Sequence, residues 1–507
     1  MLPTVATGFA SSQAASPSRR ERPGVALTGV AAITALALII RLATATAQSF
    51  WLDEAYTEHL IHLGFGTMLS TIPRTESTPP LYYVIAWGWT HVFGSGELGL
   101  RSISAVAGAG TVTCAWQIAD RLAGARAALI AGGLLAVSPL MVWYSQEARA
   151  YALAGLLTTA SLLCLLRYMD SGRSGWLRAW VVTAGLGLCT HYFVGFAVAA
   201  EVAWLLHHRH GRTEVRLAVG AVAVVIIALV PLALAQQATG HADYIAQGSL
   251  ATRALQVPKQ FLVGYVSPVQ ALTTVAALLL VLAGSAGPLL RDRSWAHTPA
   301  ALVLTVGLSC TVLPLLLAIF GLDFVDTRNL LVGLAPLLIV VAVGFASPAA
   351  HPAGPWLAAM LAALSMLVVV IVNTDLRYQR SDWAGASQAL GLARVARVIV
   401  VSPGAALLPL EAYQPGLSLL SAPRAVRELD IVGVALPVEG SGLGAPPRLH
   451  GTPQLPAGFV PAGSTFTRGF TLQRYRAATP VSLSPSQLAF LHPAPDGAFL
   501  AQTPTRG

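Results

Sequence analysis

Two adjacent carboxylates, Asp53 and Glu54, have a setting that suits acid–base chemistry. They follow an apolar run, 25–47, that is long enough to cross a membrane, so they stand where this run meets the aqueous interface. An acidic residue so close to the membrane is a candidate for function, and a carboxylate held there could act as a general base. On its own, the pair fits a solvated helix end equally well.

Three arginines and one further acid could complete such a site. Glu147 and Arg149 lie in a short loop between two apolar runs, Arg328 lies at the mouth of another run, and Arg41 lies deep in the first. The guanidinium fork of arginine suits phosphate, so these side chains could clamp a phosphorylated substrate. Simpler interpretations are an intraloop ion pair within an aromatic anchor, a snorkelling Arg328, and an Arg41 paired with a buried polar group.

Other polar side chains near the ends of apolar runs give weaker signals. His191 and Tyr192 could hydrogen-bond a phosphate or a sugar, although a packed interfacial pair explains them as well. His59 and His62 have the spacing of one helical face, which is typical of a solvated amphipathic segment. Glu201 lies inside an apolar run and needs a buried partner that the sequence does not reveal.

The composition is that of a membrane protein. Hydrophobic residues make up 55% of the 507 residues and charged residues only 10%. In soluble proteins about a quarter of all residues are charged. The net charge of +9 comes from arginines scattered through short loops without a continuous basic face, so nucleic acid is not an expected partner. The four cysteines lie inside apolar runs and indicate neither a disulfide framework nor a zinc site.

Hydropathy predicts a bundle of about eleven membrane spans over residues 25–374, preceded by a cytoplasmic tail, 1–24. Arginine-rich loops should face the cytoplasm, which places the first loop, 48–99, outside. This alternation requires that 79–93 (PPLYYVIAWGWTHVF) does not cross, and its two prolines and short length suit a juxtamembrane or re-entrant helix. The predicted spans lie near 25–47, 100–119, 126–143, 149–166, 176–190, 192–206, 217–235, 269–290, 299–320, 328–346 and 355–373. The predicted cytoplasmic loops are 119–126, 167–178, 207–216 and 291–297.

The composition changes after the last apolar run. Residues 375–477 mix polar and apolar residues with many Pro and Gly, and they predict a small extracytoplasmic α/β domain. Residues 478–507 lack a strong periodicity and are predicted to be a disordered tail. The predicted fold class is therefore a polytopic α-helical membrane protein with a small C-terminal α/β domain.

Five short motifs occur in the order and spacing of a known superfamily. They are the acidic pair after the first span, PPLYY in the first outer loop, ELGLRSISAVAG before the next span, YSQEARAYAL, and DWAGA at the start of the C-terminal domain. Together they resemble the GT-C membrane glycosyltransferases over roughly residues 25–400. The similarity is greatest to the polyprenyl-phosphate-mannose-dependent mannosyltransferase-like members, which are related to the protein O-mannosyltransferases and the lipid A aminoarabinose transferase. One departure is Asn329, where the family often has a tyrosine after the later arginine.

The resemblance implies a GT-C-like bundle in the cell membrane that moves a sugar, mannose or similar, from a polyprenyl-phosphate donor to an acceptor hydroxyl at the outer face. The acceptor would be a lipid, a glycan or a protein. In that family the first-loop aspartate is the proposed base, a role that carries over to Asp53, and the transfer is inverting. Glu54 would position the acceptor or share this role. The leaving phosphate needs cations, for which Arg149 and Arg328 are the first candidates and Arg41 a weaker third.

Glu147, His191 and Tyr192 complete the predicted site as ligands of the donor phosphate or the sugar. The superfamily also allows a divalent cation that bridges Glu147 or Glu54 to the phosphate, but the sequence shows no metal-ligand spacing, so no metal is assigned. Membrane lipid is the remaining expected partner.

The main alternative is a transporter or flippase of a lipid-linked saccharide, which would also need charged residues at membrane depth. Transporters place their key polar groups near the midplane, on interrupted helices. Here the candidates gather at the outer ends of apolar runs, with Glu201 and Arg41 as exceptions. A structural or receptor-like membrane protein would leave the acidic pair without a chemical role. Convergence of Asp53, Arg149 and Arg328 on one outward-facing cavity that also opens to lipid would favour the transferase.

Overall fold

The computed structural model describes residues 23–291, 295, 298–438, 442–449, 454–491 and 496–504. A helical bundle extends to Thr374, and the remainder is built around a β-sheet. The predicted cytoplasmic tail, 1–24, lies outside the described residues except for its last two, and most of the predicted loop 291–297 lies outside them as well.

The helices of the bundle are rich in Ala and Leu, residues with high helix propensity, and their apolar side chains form one large core. A π-helical turn, Leu282–Ala286, joins α13 to α14, and a 3₁₀ turn, Leu331–Gly333, joins α16 to α17 of the following list. In chain order the helices are α1 (Pro23–Ala43), α2 (Leu52–His62), α3 (Phe65–Thr75), α4 (Leu81–Phe93), α5 (Glu97–Val137), α6 (Pro139–Ser145), α7 (Tyr151–Ser171), α8 (Ser174–Leu188), α9 (Val194–Arg209), α10 (Thr213–Gln237), α11 (Tyr244–Gln247), α12 (Leu250–Val263), α13 (Gln270–Val281), α14 (Gly287–Arg291), α15 (Pro299–Ile319), α16 (Thr327–Leu330), α17 (Leu334–Ala346) and α18 (Ala353–Thr374).

Six helical segments of the described residues are long and apolar enough to cross a membrane. They are Tyr151–Ser171, Thr213–Gln237, Gln270–Arg291, Pro299–Ile319, Thr327–Ala346 and Ala353–Thr374. A seventh results if α5 and α6, which meet at a bend of 56°, count as one span. Each predicted span overlaps a helix, but α8 and α9 have only 15 and 16 residues, fewer than the roughly 20 that cross the hydrocarbon. The count of about eleven therefore stays a prediction.

The helix α5 contains a break between two of the predicted spans. Ala123 and Gly124 leave the helical conformation there, and Gly124 has a φ of 78°, a left-handed value that favours glycine. The predicted spans 100–119 and 126–143 are thus the two halves of α5 with the start of α6, divided at the loop in which the arginines Arg121 and Arg126 lie.

The segment 79–93 forms α4, whose 13 residues are too few to cross the hydrocarbon. Together with α2 and α3 it makes a compact first loop with its own apolar core, which includes Met68, Tyr82 and Leu100. This core fixes the orientation of α2, the helix that carries the acidic pair.

The C-terminal part contains a six-stranded sheet with the strand order β2-β8-β1-β3-β7-β6. Strands β1 and β3 are parallel, with Val398 opposite Leu429, and the other pairs of this sheet are antiparallel. All six residues of β1 are buried, because side chains cover both faces of the sheet there. The elements are α19 (Trp383–Leu390), β1 (Arg397–Ser402), α20 (Leu407–Glu411), β2 (Leu417–Leu419), β3 (Arg424–Val434), β4 (Pro437–Val438), β5 (Gly442–Leu443), β6 (Phe459–Phe466), β7 (Phe470–Leu483), α21 (Pro485–Leu488) and β8 (Ala498–Gln502).

The structure corrects the predicted domain boundary at residue 477 and the predicted disordered tail, 478–507. Strand β7 continues to Leu483, and β8 lies inside the sheet between β2 and β1. Leu500 of β8 is fully buried. The five residues of β8 follow a Pro-rich stretch and have no local partner, so their pairing with distant strands is not visible in the sequence pattern.

Candidate functional site

The acidic pair lies in the first turn of α2, where carboxylates interact favourably with the N-terminus of a helix. Neighbouring residues of a helix point in different directions. Glu54 is directed into the protein and is fully buried, whereas the Asp53 side chain keeps 27% of its surface exposed. The two carboxylates therefore have different environments, and only Asp53 is accessible to a ligand.

Glu54 is held by a buried ion pair with Arg101. The guanidinium donates two hydrogen bonds, from Nε to Oε1 at 2.7 Å and from Nη2 to Oε2 at 2.6 Å, and the Ala148 N–H donates a third to Oε1 at 2.8 Å. Burial alone would raise the pKa of Glu54, but the charges of Arg101 and Arg380 and these hydrogen bonds bring it below its ordinary value. With its acceptors engaged, Glu54 is suited to fixing α2, and its role in positioning the acceptor or sharing the base function stays a prediction.

Asp53 points toward Arg328, whose Nη1 lies 3.0 Å from its Oδ2. The Arg328 Nε also pairs with Asp326 at 3.0 Å, and the Asp326 side chain caps the short helix α16 by accepting from the Arg328 N–H. Arg149 completes the group, because its Nη1 donates to the backbone oxygen of Asp53 at 3.3 Å. Asp53, Arg149 and Arg328 thus lie together in one charged group, while their convergence on an outward-facing cavity that opens to lipid stays a prediction.

Arg149 is fixed by partners from the first loop. Its Nη1 lies 2.9 Å from Oε2 of Glu76 and 3.2 Å from the Thr57 hydroxyl, and its guanidinium lies over the Tyr83 ring. Glu76 itself accepts a hydrogen bond from the Tyr83 hydroxyl. Arg149 therefore reaches the site in one defined orientation, with its charge compensated.

Glu147 lies on the other side of this group and is buried. Its Oε2 accepts from Nη2 of Arg380 at 2.6 Å, while its Oε1 has no hydrogen-bond partner among the described residues. Burial raises the pKa of Glu147 to about 7; the charges of Glu54 and Asp53 add to this effect, and those of Arg380 and Arg328 oppose it. A carboxyl with one free oxygen is available to bind a hydroxyl group of a ligand.

His191 is buried in the loop between α8 and α9 and contacts the rings of Tyr151 and Phe193. Burial and the charges of Arg149 and Arg328 lower the pKa of its imidazole to about 3, so the ring is neutral at physiological pH. Its Nδ1 accepts from the Phe193 N–H at 3.2 Å, which leaves the proton on Nε2. Nε2 has no partner among the described residues, so it is a free donor for an anionic ligand.

Two predicted ligands are occupied elsewhere. The Tyr192 hydroxyl donates to Gln236 of α10 at 2.7 Å, and this glutamine donates to the backbone oxygen of Thr78. Arg41 is fully buried and donates to the backbone oxygens of Ala37, Leu135 and Ala136, near the end of α5. These bonds use its Nη1 and Nη2, whereas its Nε has no hydrogen-bond partner among the described residues, so the place of Arg41 in the phosphate clamp stays a prediction.

The remaining polar side chains also have structural partners. Glu201 accepts hydrogen bonds from the Ser161 hydroxyl at 2.9 Å and from the Trp180 indole at 2.8 Å, which supplies the buried partners that the sequence does not reveal. His62 is exposed and lies 3.1 Å from Glu58, as expected for a solvated helix face.

Three charged residues of the site are not singled out by the sequence: Glu76, Arg101 and Arg380. Arg101 carried a signal, since it is an arginine close to the start of a long apolar run and belongs to the ELGLRSISAVAG motif. Glu76 and Arg380 lie in polar segments, where nothing local distinguishes them from solvated residues.

A divalent cation at Glu54 or Glu147 does not fit the observed contacts. Both carboxylate oxygens of Glu54 accept hydrogen bonds from Arg101 and Ala148, and Glu147 has a single oxygen without a hydrogen-bond partner. Within the described part of the chain, no group of three or more His, Cys, Asp or Glu side chains is arranged to hold a metal ion.

An apolar cavity of about 480 Å³ lies among the bundle helices. Its walls come from α12, α13, α15, α17 and α18, and they include Phe261, Leu278, Leu304, Leu337 and Leu361. Pro139, the first residue of α6, also lines the cavity. At about 1.5 Å per residue, α6 is about 10 Å long, and Glu147 lies two residues beyond its other end. The cavity therefore lies beside the charged group along α6, and not around it as the predicted single cavity would.

Comparison with known proteins identifies this architecture. The fold is similar to the crystal structure of ArnT from Cupriavidus metallidurans bound to undecaprenyl phosphate, with a TM-score of 0.53, 14% identity, and coverage of 76% of this chain and 84% of that chain. Lower similarity exists to the oligosaccharyltransferase of Archaeoglobus fulgidus (TM-score 0.43, 14% identity, 69% and 56% covered) and to the arabinosyltransferase EmbB from Mycobacterium smegmatis (TM-score 0.41, 15% identity, 90% and 48% covered). A comparison with curated protein sequences gives no match.

The similarity of fold to ArnT agrees with the resemblance of the sequence motifs. Residues 77–234 match the model of the dolichyl-phosphate-mannose-protein mannosyltransferase family. This match includes the loop with Glu147 and Arg149 and the following loop with His191.

Proposed function

We propose that this protein transfers a sugar, mannose or a similar hexose, from a polyprenyl-phosphate donor to an acceptor hydroxyl, with Asp53 as the base. One observation carries the proposal. Of two adjacent carboxylates in the first turn of α2, Glu54 is held in a buried ion pair, while Asp53 is accessible and lies 3.0 Å from an arginine. An accessible carboxylate beside cations is what an inverting transfer from a phosphate leaving group requires.

The chemistry assigns one task to each group. The acceptor oxygen attacks the anomeric carbon, its proton passes to the Asp53 carboxylate, and the bond between that carbon and the phosphate oxygen breaks. The polyprenyl phosphate then leaves with the negative charge that develops on it. Arg328 and Arg149 lie where they can stabilise this charge, and the Nε2–H of His191 adds a neutral donor. Because attack and departure occur on opposite sides of the carbon, the configuration inverts.

The apolar cavity supports a lipid-linked donor. Its volume of about 480 Å³ and its leucine-rich walls suit several isoprene units of a polyprenyl chain, and α6 connects it to the charged group. ArnT, whose fold is similar, binds undecaprenyl phosphate. Mannose is favoured by the family match over 77–234, and the acceptor would be a lipid, glycan or protein hydroxyl.

The site would face the extracytoplasmic side of the cell membrane. The arginine-rich loops 167–178 and 207–216 lie at the ends of α7, α8, α9 and α10 that are opposite to those near Asp53, and the segment 119–126 lies at the break in the middle of α5. Cytoplasmic loops are enriched in Lys and Arg, so this distribution supports an outward site with the C-terminal domain on the same side.

The test is sugar transfer by the purified protein from a panel of radiolabelled polyprenyl-phosphate sugars. Asp53→Asn should abolish transfer, while Asp375→Asn, which changes a similarly exposed aspartate in the linker after α18, should leave it unchanged. Full activity of Asp53→Asn in correctly folded protein would refute the assignment of the base. A transporter would instead move the intact lipid-linked saccharide across a vesicle membrane without transferring its sugar, so both products are measured.

A further inference from the structure

We propose that Arg380, in the linker between α18 and the C-terminal domain, is a positioning residue that holds Glu147 and joins this domain to the segment before Asp53. The inference rests on the proposed function, and it assigns a role to the C-terminal domain in the same site.

Arg380 is nearly completely buried, although it lies outside the bundle helices. Its Nη2 lies 2.6 Å from Oε2 of Glu147, and its Nη1 lies 3.7 Å from Oε2 of Glu54. The guanidinium also lies over the ring of Trp143, 4.4 Å from its centroid, and 5.6 Å from that of Trp51. Two carboxylates and two indole rings define one orientation for this side chain.

Glu147 depends on Arg380 for its charge compensation. Among the described residues Arg380 is the arginine within ion-pair distance of Glu147. The other arginines of the site are engaged with other carboxylates: Arg101 pairs with Glu54, Arg149 with Glu76, and Arg328 with Asp53 and Asp326. Removal of the Arg380 charge would leave a buried carboxylate without a cation, so Glu147 would have to change its position or its protonation.

The linker also binds the three residues that lead into α2. The Arg380 N–H donates to the Gln48 side chain at 3.0 Å, and the Ala384 N–H donates to the Ser49 hydroxyl at 3.0 Å. The Phe50 N–H donates to the hydroxyl of Tyr413, a residue of the C-terminal domain, at 2.6 Å. Residues 48–50 are therefore held by the C-terminal side of the protein, three residues before the proposed base.

Both sets of contacts converge on the geometry of transfer. One fixes Glu147, whose Oε1 is buried without a hydrogen-bond partner among the described residues, and the other fixes the approach of the chain to Asp53. A displacement of about 1 Å at a reacting group can cost about 100-fold in rate. We therefore expect Arg380 to act on the rate of transfer, through Glu147 and the position of α2, and not on the affinity for the lipid donor.

The experiment compares four variants of the full-length protein in detergent: Arg380→Gln, Arg380→Lys, Glu147→Gln and the double variant Arg380→Gln/Glu147→Gln. Arg377→Gln is the matched control, because Arg377 lies in the same linker, is exposed and pairs with Asp375. Arg380→Gln should lower kcat by about 10-fold to 100-fold with little change in KM for the donor. Arg380→Lys should recover part of kcat, since it keeps the charge but loses the planar fork.

The double variant separates positioning from general destabilisation. If Arg380 acts through Glu147, the double variant should lose no more activity than the stronger single variant, whereas independent structural effects would multiply. Hydrogen exchange at the backbone amides of 48–58 gives a second readout that does not depend on activity. It should be faster in Arg380→Gln than in the wild type and unchanged in Arg377→Gln.

Each outcome decides the inference. Wild-type kcat and wild-type exchange in Arg380→Gln would overturn it, and so would multiplicative effects in the double variant. If Arg380→Gln does not fold, Arg380→Lys takes its place, and wild-type kcat in that variant would overturn the inference. If the wild type transfers no sugar from any polyprenyl-phosphate donor, the proposed function fails, and unchanged exchange at 48–58 would then refute the inference separately.

Discussion

Replacement of Glu54 by glutamine tests whether two neighbouring carboxylates have separate roles, one in stability and one in chemistry. Glutamine has nearly the same shape, but it carries no charge and presents an amide NH₂ where one carboxylate oxygen accepts from Arg101. In the variant, Arg101 would stay buried with its charge uncompensated and two of its hydrogen bonds lost or weakened. The expected result is a loss of stability.

The magnitude follows from the contacts. Removal of one partner of a buried ion pair costs about 3–5 kcal/mol, which corresponds to a reduction of about 150-fold to 5,000-fold in the ratio of folded to unfolded protein. Arg101 also donates to the backbone oxygens of Ala45, Gln48 and Ser49, and these bonds remain. We therefore expect the lower end of this range, about 3 kcal/mol.

Thermal unfolding in detergent with a thiol-reactive dye measures this loss, because Cys164 and Cys310 are buried and become reactive when the bundle opens. Asp53→Asn is the control, since its partly exposed ion pair contributes only about 0–1 kcal/mol. Glu54→Gln should unfold at a lower temperature, and Asp53→Asn should unfold like the wild type but fail to transfer sugar. An unchanged unfolding temperature in Glu54→Gln, or an equal loss in both variants, would refute the division of roles.

Two further predictions concern the charged group around Asp53. Arg328→Gln should lower kcat about 100-fold to 1,000-fold, because a cation beside the developing phosphate charge is lost, while Arg74→Gln, an exposed arginine of the first loop, should behave like the wild type. A similar kcat in both variants would argue against the phosphate clamp. For Glu147, the folded-state pKa of about 7 lies above the unfolded value of about 4.3, so its contribution to stability is complete below pH 4.3 or so and is lost as pH rises through 7. The unfolding temperature of the wild type should therefore fall more steeply between about pH 4.3 and 7 than that of Glu147→Gln, and parallel curves would contradict this assignment.

The sequence is sufficient for the parts of the fold and site that depend on local patterns. Runs of apolar residues identify the bundle helices, and the prolines and length of 79–93 correctly indicate a helix too short to cross. The acidic pair and the loops with Arg149 and Arg328 are visible because charged residues at the ends of apolar runs are rare and costly.

Contacts between distant parts of the chain could not be predicted in this way. Arg380 and Glu147 are 233 residues apart, and no periodicity or spacing connects them. The backbone contacts of Arg41 could not be predicted for a related reason, since a buried arginine that donates to backbone oxygens and one that binds phosphate have the same local sequence context. The different environments of Asp53 and Glu54 also depend on a distant residue. Arg101 donates hydrogen bonds to both carboxylate oxygens of Glu54.

The position of β8 inside the sheet has a consequence for the order in which the protein matures. Arg397 of β1 donates to Gln502 of β8 at 2.8 Å across 105 residues, so β1 stays unpaired on one side until β8 has been synthesised. All membrane helices are made before that point. A nascent chain can therefore occupy the bilayer with its helices assembled while the domain that supports residues 48–50 is still open. Ribosome-bound chains that end before residue 498 should be inserted into the membrane but should not transfer sugar.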